Sequence, residues 1–383
     1  MLLHILHKGN FAKTAITLFE RYCPGQSVYI FPGAVSDALQ KQVPAVLEAW
    51  PGLLETAQIE KKLVSRIKEG QFKTVFIHSL TKRKAELTTR IKAQTEARVF
   101  WIFLGAELYI PLSNWGVYEL YDQPRTDWER RFAYWKGELL SLVARGVGRR
   151  KAITRGINDV DFFCFWNHYD YQLLKKHFNT NCQHLDFLYY DLLVKNPSAL
   201  KPKTIGNIMV NHSASISGNH LWVLEKLADI DPRKTLSITT PLSYGDATVR
   251  ERTIASGQAL WAQNYFPLTK YLPQTEYYAR LNSFAAAIFG NRRQEAGANV
   301  FYLLAIGGKV FLRRDNTMLA WLREKGFILF CVETDLNKLS DLAPLSDSVA
   351  KQNRQRYLEV FSLDNERKMM SNLLKECDVE PDI

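Results

Sequence analysis

Two short polar segments of this chain combine the residue types that hold a phosphorylated ligand. The first is Asn211-His212-Ser213-Ala214-Ser215-Ile216-Ser217-Gly218-Asn219-His220, directly after the apolar run 208–210. A buried strand that ends in small polar residues and feeds a helix turns backbone N–H groups toward the carboxyl edge of a sheet. The positive end of the helix dipole points the same way, which is where an anion binds. Ser213, Ser215 and Ser217 donate hydrogen bonds without bulk, and Ser217 is equally a good helix N-cap whatever binds there. The second segment is Gly290-Asn291-Arg292-Arg293-Gln294-Glu295-Ala296-Gly297-Ala298-Asn299. Two adjacent arginines at the mouth of a sheet suit a pyrophosphate, because guanidinium grips phosphate oxygens in a bidentate way. Gln294, Glu295 and Asn299 suit ribose or sugar hydroxyls; surface charge and a helix cap are the alternative. The apolar continuation 301–306 reads as buried and anchors these polar residues at the sheet edge. Neither segment is a P-loop or a G-x-G-x-x-G turn.

Both segments need a sheet to stand on, and the hydrophobic pattern supplies one. In the first half strands are expected at 2–6, 27–31, 74–78, 98–103 and 161–166, with helices at 11–22, 59–69 and 83–94. After a break at 195–203, marked by Asn196-Pro197-Ser198 and Lys201-Pro202-Lys203, the pattern restarts. Strands are expected at 207–210, 236–240, 261–265 (an edge), 285–289, 309–312 and 328–330. Helices are expected at 218–228, 248–258, 276–284, 296–306 and 365–376. Strands separated by helices mean βαβ units and mainly parallel sheets. The fold class is therefore α/β, with a domain at 1–198, another at 199–383, and the last helix free to pack back on the first.

Composition narrows the class. The chain of 383 residues is 46% hydrophobic and 23% charged, so it is neither disordered nor fibrous. No apolar run approaches the roughly 20 residues of a membrane-spanning helix, and no signal peptide is visible. Five scattered cysteines without a C-x-x-C pair indicate neither a zinc site nor a disulfide framework, and a reducing cytoplasm is expected. The net charge of +11 favours anionic partners. The densest basic stretch, 125–155, interleaves Arg130, Arg131, Lys136 and Arg150 with Trp128, Phe132, Tyr134 and Trp135. That mixture suits an anionic lipid surface, a single-stranded nucleic acid or a solvated helix face.

The two loops with their spacing resemble the TDP-N-acetylfucosamine:lipid II N-acetylfucosaminyltransferases, glycosyltransferase family 56. Ser213, Ser217 and His220 match the family's first loop, and Asn219 falls on a position that is often polar. Ser215 stands where the family carries an acid. Arg293, Gln294, Ala296 and Asn299 match its second motif. Pro241 with Tyr244-Gly245, then Tyr277, then Gly307, Lys309, Val310 and Asn316 match further positions. In the first half, the strand ending at His78 and the segment 101–109 resemble the family, with Glu107 where it has Asp. The likeness covers roughly 205–320 and, more thinly, 70–110.

This resemblance implies a GT-B architecture, two Rossmann-like domains facing a central cleft, with the donor in the second domain and the acceptor in the first. The donor is then a nucleoside-diphosphate sugar, dTDP-linked and carrying a deoxyamino sugar. It is bound by Ser213, Ser215, Ser217, Asn219, His220, Tyr244, Tyr277, Arg293, Gln294, Glu295 and Asn299. The acceptor is lipid-linked or a glycan, in enterobacterial common antigen or O-antigen assembly. The protein is then peripheral on the inner face of the inner membrane, with the 125–155 stretch docking there. Glu107 and His78 are the candidate bases for the acceptor hydroxyl. No cofactor and no metal are implied; Asp159-Val160-Asp161 precedes a strand and Asp229-Ile230-Asp231 ends a helix, unlike metal-binding D-x-D tripeptides. The competing readings are a sugar-nucleotide epimerase of the same architecture and, on charge alone, a nucleic-acid-binding protein.

Overall fold

A computed structural model describes the chain apart from residues 7–9, 36, 44, 123, 146–147, 196, 198–203 and 383. Most of the expected break at 195–203 therefore lies outside the described residues. The first sheet is formed by β1 (Leu2–Ile5), β2 (Ser27–Phe31), β3 (Val46–Ala49), β4 (Thr74–His78), β5 (Arg98–Ile102), β6 (Phe162–Cys164) and β7 (Gln183–Leu185). The second is formed by β8 (Thr204–Val210), β9 (Ser237–Pro241), β10 (Tyr265–Leu268), β11 (Phe284–Phe289), β12 (Lys309–Leu312) and β13 (Phe330–Cys331). Every pairing in both is parallel.

The helices that cross between strands in the first half are α1 (Asn10–Tyr22), α2 (Asp37–Gln42), α3 (Ala57–Lys68), α4 (Lys82–Gln94), α5 (Ala106–Asn114), α6 (Pro124–Arg145), α7 (Arg149–Asn158) and α8 (His168–His177). The remainder are α9 (His220–Ile230), α10 (Ala247–Trp261), α11 (Gln274–Leu281), α12 (Gly297–Ala305), α13 (Thr317–Glu324), α14 (Val332–Asp335), α15 (Asp347–Val360) and α16 (Leu363–Lys375). The chain divides into two compact units. One holds Met1–Asn114, Arg131–Leu192 and Leu363–Ile383; the other holds Trp115–Arg130 and Leu193–Ser362. Residues 115–130 group with the second sheet rather than the first, and α16 groups with the first, the place that the sequence left open to it. Within the first unit α16 is held by Arg21, which pairs with Glu366 and Asp191, and by the Leu188 N–H on the Met369 sulfur.

The strand order is β3-β2-β1-β4-β5-β6-β7 in the first unit and β10-β9-β8-β11-β12-β13 in the second. Each order runs outward from its first strand and then reverses, as in doubly wound sheets, and the crevice at the reversal is where such sheets bind ligands. In the second unit the reversal lies between β8 and β11, the two strands that feed the polar loops. β1, β2, β4 and β11 are buried at every position, as expected for parallel strands covered on both faces. The second unit's core packs Ile208, Val210 and Ile288 against Val223, Leu224 and Leu227 of α9 and Trp261 of α10.

Two expectations are corrected, and two strands are added. The edge strand is β10, not 261–265, because α10 runs on to Trp261 before a 3-10 turn. The edge strands β3 and β7, partly exposed and short, lie outside the expected set. The cap of α9 is Asn219, not Ser217, which sits in a 3-10 turn one step earlier.

Candidate functional site

The loops after β8 and β11 are stitched into one surface on the carboxyl edge of the second sheet. Asn211, in the left-handed region at φ 57°, donates its backbone N–H to the Ile288 carbonyl at 2.9 Å. Its side chain accepts from the Gly290 N–H at 2.8 Å and donates to the Gly218 carbonyl at 2.9 Å. The backbones are so close that a Cβ on Gly290 would run into the Gly218 carbonyl. On the opposite flank Ala214 exchanges hydrogen bonds with the Tyr244 carbonyl (2.8 Å) and the Asp246 N–H (2.9 Å), and Gly245, at φ +115°, leaves no space for a side chain beside it.

Across this seam lies a single polar cluster. Ser217 Oγ donates to Glu295 Oε2 at 2.6 Å, and Ser215 Oγ lies 3.0 Å from Ser217 Oγ. Asn291 Nδ2 donates to the Ser217 carbonyl (3.1 Å) and to Glu295 Oε2 (2.8 Å). The Arg293 guanidinium stands 3.1 Å from the same carboxylate oxygen and donates to the Gln294 carbonyl at 3.1 Å. Burial alone would raise the Glu295 carboxyl. The Arg293 guanidinium and the hydroxyls of Ser217 and Ser215 outweigh it and hold the group below its usual range. His212 and His220 are lowered by burial, His220 to about 4, so neither ring carries charge near pH 7. Positive potential comes instead from Arg293 and from the N-termini of α9 and α12, which open at the same edge.

The remaining expected residues sort by position. His212 Nε2 lies 3.2 Å from Ser213 Oγ, and the His212 ring meets Tyr244 edge-on at 6.2 Å. Tyr277, on α11, buries a hydroxyl that makes no hydrogen bond. Gln294 is buried and its Nε2 makes none either, while Asn299 is half-buried in the first turn of α12. The Asn219 amide meets the Asp122 N–H, the Leu120 carbonyl and the Gly290 carbonyl, so it also clamps the fold. Arg292 pairs with Asp122, Glu119 and Asp315. Of the two adjacent arginines only Arg293 belongs to the cluster.

Asp122 itself gave no signal in the sequence. Its buried carboxylate also pairs with Arg313, which continues to Glu333 and stacks on Trp222 at 3.7 Å. Tyr118 adds a hydrogen bond to the Arg292 carbonyl at 2.5 Å. The segment 118–122 is thereby locked onto the loops after β8, β11 and β12, and only the folded chain brings these residues together. A cavity of about 210 Å³ lies beside Asn219 and His220, bordered also by Tyr121, Trp222 and Arg252.

In the first unit, Glu107 opens α5 just past the end of β5. It is buried and accepts from Trp101 Nε1 (3.2 Å) and the Leu104 N–H (2.9 Å). His78, at the end of β4, is a core histidine. Its ring nitrogens meet His4 Nδ1 at 3.1 Å and the Tyr189 hydroxyl at 2.8 Å, and burial lowers it far below the usual imidazole value. With both nitrogens engaged, the ring has no position left to take a proton from a ligand. Lys84, read in the sequence as one residue of a basic helix, is instead buried. It donates to the Ile5, Leu6 and His78 carbonyls and is brought down to about 7 by that burial. Asp161 binds Lys92 and the Val99 N–H, and Asp231 binds Thr235 and the Leu236 N–H, so both serve the fold.

No family model matches the chain, and no curated protein matches it. Solved structures do. HepE from Anabaena, in complex with UDP, superposes with a TM-score of 0.62 at 10% identity, over 98% of this chain and 99% of that one. Sucrose-phosphate synthase from Thermosynechococcus elongatus gives 0.60 at 9% identity, over 98% of each chain. An E. coli trehalose-6-phosphate structure bound with UDP-2-fluoro glucose gives 0.57 at 9% identity, again over 98% of each.

The fold is GT-B.

Two parallel-sheet α/β domains of seven and six strands carry it. In this GT-B chain the switch point of the second sheet is the place where Ser217, Asn291, Arg293 and Glu295 converge.

Proposed function

We propose that the chain is a glycosyltransferase that moves a sugar from a nucleoside-diphosphate donor to an acceptor hydroxyl. The observation that carries the reading is the Ser217–Glu295–Arg293 cluster, which joins the two loops at the switch point of the second sheet. A diphosphate there would meet Arg293 and the N–H groups that open α9 and α12. As the bond to the sugar breaks, negative charge grows on that diphosphate, and groups already oriented toward it lower the barrier. In this reading Gln294, Glu295 and Asn299 meet ribose hydroxyls, and Tyr244 and Tyr277 the base. The cavity beside His220 offers Trp222, Tyr121 and Arg252 to a sugar. Glu107 is the base for the acceptor.

The resemblance to family 56 favours a dTDP-linked deoxyamino sugar and a lipid-linked acceptor in bacterial surface polysaccharide assembly, reached at the inner face of the inner membrane. A panel of TDP, UDP and GDP in a thermal-shift measurement tests the reading. A stabilisation by nucleoside diphosphates is expected, strongest with TDP. A melting temperature indifferent to all three refutes the transferase proposal, and a preference for UDP refutes the donor assignment alone.

A further inference from the structure

Helix α6 is built inside out. Its inward residues are Tyr134, Gly137 and Ser141, all buried. A Cβ on Gly137 would collide with the Arg149 guanidinium of α7, and Ser141 accepts from Lys82 Nζ of α4 at 3.0 Å. Small and polar groups thus seat the helix on the first unit. Within the first unit its outward residues are Phe132, Trp135, Leu139, Leu142 and Val143, between 46% and 80% exposed. At 3.6 residues per turn these five fall within roughly 100° of the helix circumference. They form one apolar ridge along a helix of 22 residues. An amphipathic helix on a water-facing domain turns its apolar stripe to the core; this one turns it away, and a ridge of that length marks a surface that meets another apolar phase.

We infer that this ridge embeds in the interface of an anionic bilayer, with α6 lying in the membrane plane. The charge around it chooses the partner. Lys136 is exposed on the edge of the ridge, and Arg150 and Lys151 are exposed at the start of α7, on a chain whose net charge is +11. Aromatic rings at headgroup depth with cations beside them match an anionic lipid surface. Among the described residues no helix is long and apolar enough to cross a membrane, so α6 rests on the bilayer without crossing it. The inference rests on the proposed lipid-linked acceptor only for its purpose, since an enzyme embedded at that depth would meet the diphosphate headgroup of a lipid carrier in place. It also moves the membrane contact from the basic residues to the apolar ones.

Flotation of the full chain with phosphatidylcholine vesicles, with and without 30% phosphatidylglycerol, tests it. The wild type should float with the anionic vesicles, and Trp135→Glu and Leu139→Glu should each lower partitioning about tenfold or more, with melting temperature unchanged because both side chains are exposed. Lys136→Ala should weaken binding by less than either. Failure of the wild type to float, or flotation undiminished in both variants, overturns the inference. So does a lipid-free dimer in sedimentation velocity that Leu139→Glu dissociates, because the ridge then serves a second copy. Loss of flotation with nucleotide binding intact removes the membrane surface alone; loss of nucleotide binding with flotation intact removes the donor site alone.

Discussion

Arg292 and Arg293 are adjacent in the chain, and the structure predicts opposite consequences for losing them. Arg293 makes one ion pair with Glu295 and one bond to a carbonyl, and its Nε makes none. A diphosphate would gain two charge-assisted hydrogen bonds from it, each worth about 1.5–3 kcal/mol. The gain is reduced because Glu295 already holds part of the guanidinium. Taking a net of about 2–3 kcal/mol, Arg293→Ala should weaken nucleoside-diphosphate binding about 30- to 150-fold. Arg292 is saturated by Asp122, Glu119 and Asp315. Arg292→Ala should therefore change the dissociation constant by less than about threefold, while lowering stability because Asp122 keeps only Arg313. Isothermal titration with TDP and UDP, alongside thermal unfolding, measures both effects. An Arg293→Ala protein that binds as tightly as the wild type refutes the assigned role. An Arg292→Ala loss equal to that of Arg293→Ala shows that the Asp122 network is part of the ligand site.

Three further outcomes follow from the same geometry. Gly290→Ala forces the Gly218 carbonyl away and should cost about 1–3 kcal/mol of stability together with weaker nucleotide binding, read by denaturant unfolding and titration; unchanged values would mean that the seam between the loops yields freely. Glu295 has a folded-state value below its unfolded one, so its stabilising contribution is complete above the unfolded value and is lost as pH falls through the folded one. The melting temperature of the wild type should accordingly drop more steeply on acidification than that of Glu295→Gln, and parallel acid limbs would contradict this. Glu107→Gln keeps an acceptor for the Trp101 and Leu104 N–H groups, so it should fold and bind donor normally while transfer falls at least about a hundredfold; retained turnover would place the base elsewhere.

Much of the scaffold was readable because buried parallel strands leave a plain signature. The runs at 27–31, 74–78 and 309–312 are apolar and bounded by polar or turn residues, and β2, β4 and β12 occupy those bounds. β3 and β7 escaped because edge strands are short and half-solvated, so Val46–Ala49 and Gln183–Leu185 carry little periodicity. The two loops at the switch point were legible for a local reason, since each follows a strand and precedes a helix. What each polar side chain does within them was not. Asn219 and Arg292 clamp the fold, whereas Ser217 and Arg293 meet Glu295, and the difference depends on Asp122, roughly 100 residues upstream of Asn219. His78 misled for the same reason: a histidine at a strand's end looks alike whether it faces a ligand or, as here, His4 and Tyr189.

The chain passes between its two units at 114/115, 130/131, 192/193 and 362/363, four times in all. Expressing either half by cutting near residue 198 would strip α16 from one product. From the other it would remove Tyr118 and Asp122, leaving Arg292 and the buried Arg313 without their shared carboxylate. A chimera that exchanges the second unit must therefore transplant residues 115–130 along with 193–362, as two inserts in one recipient, because a single crossover separates Asp122 from Arg292 and Arg313.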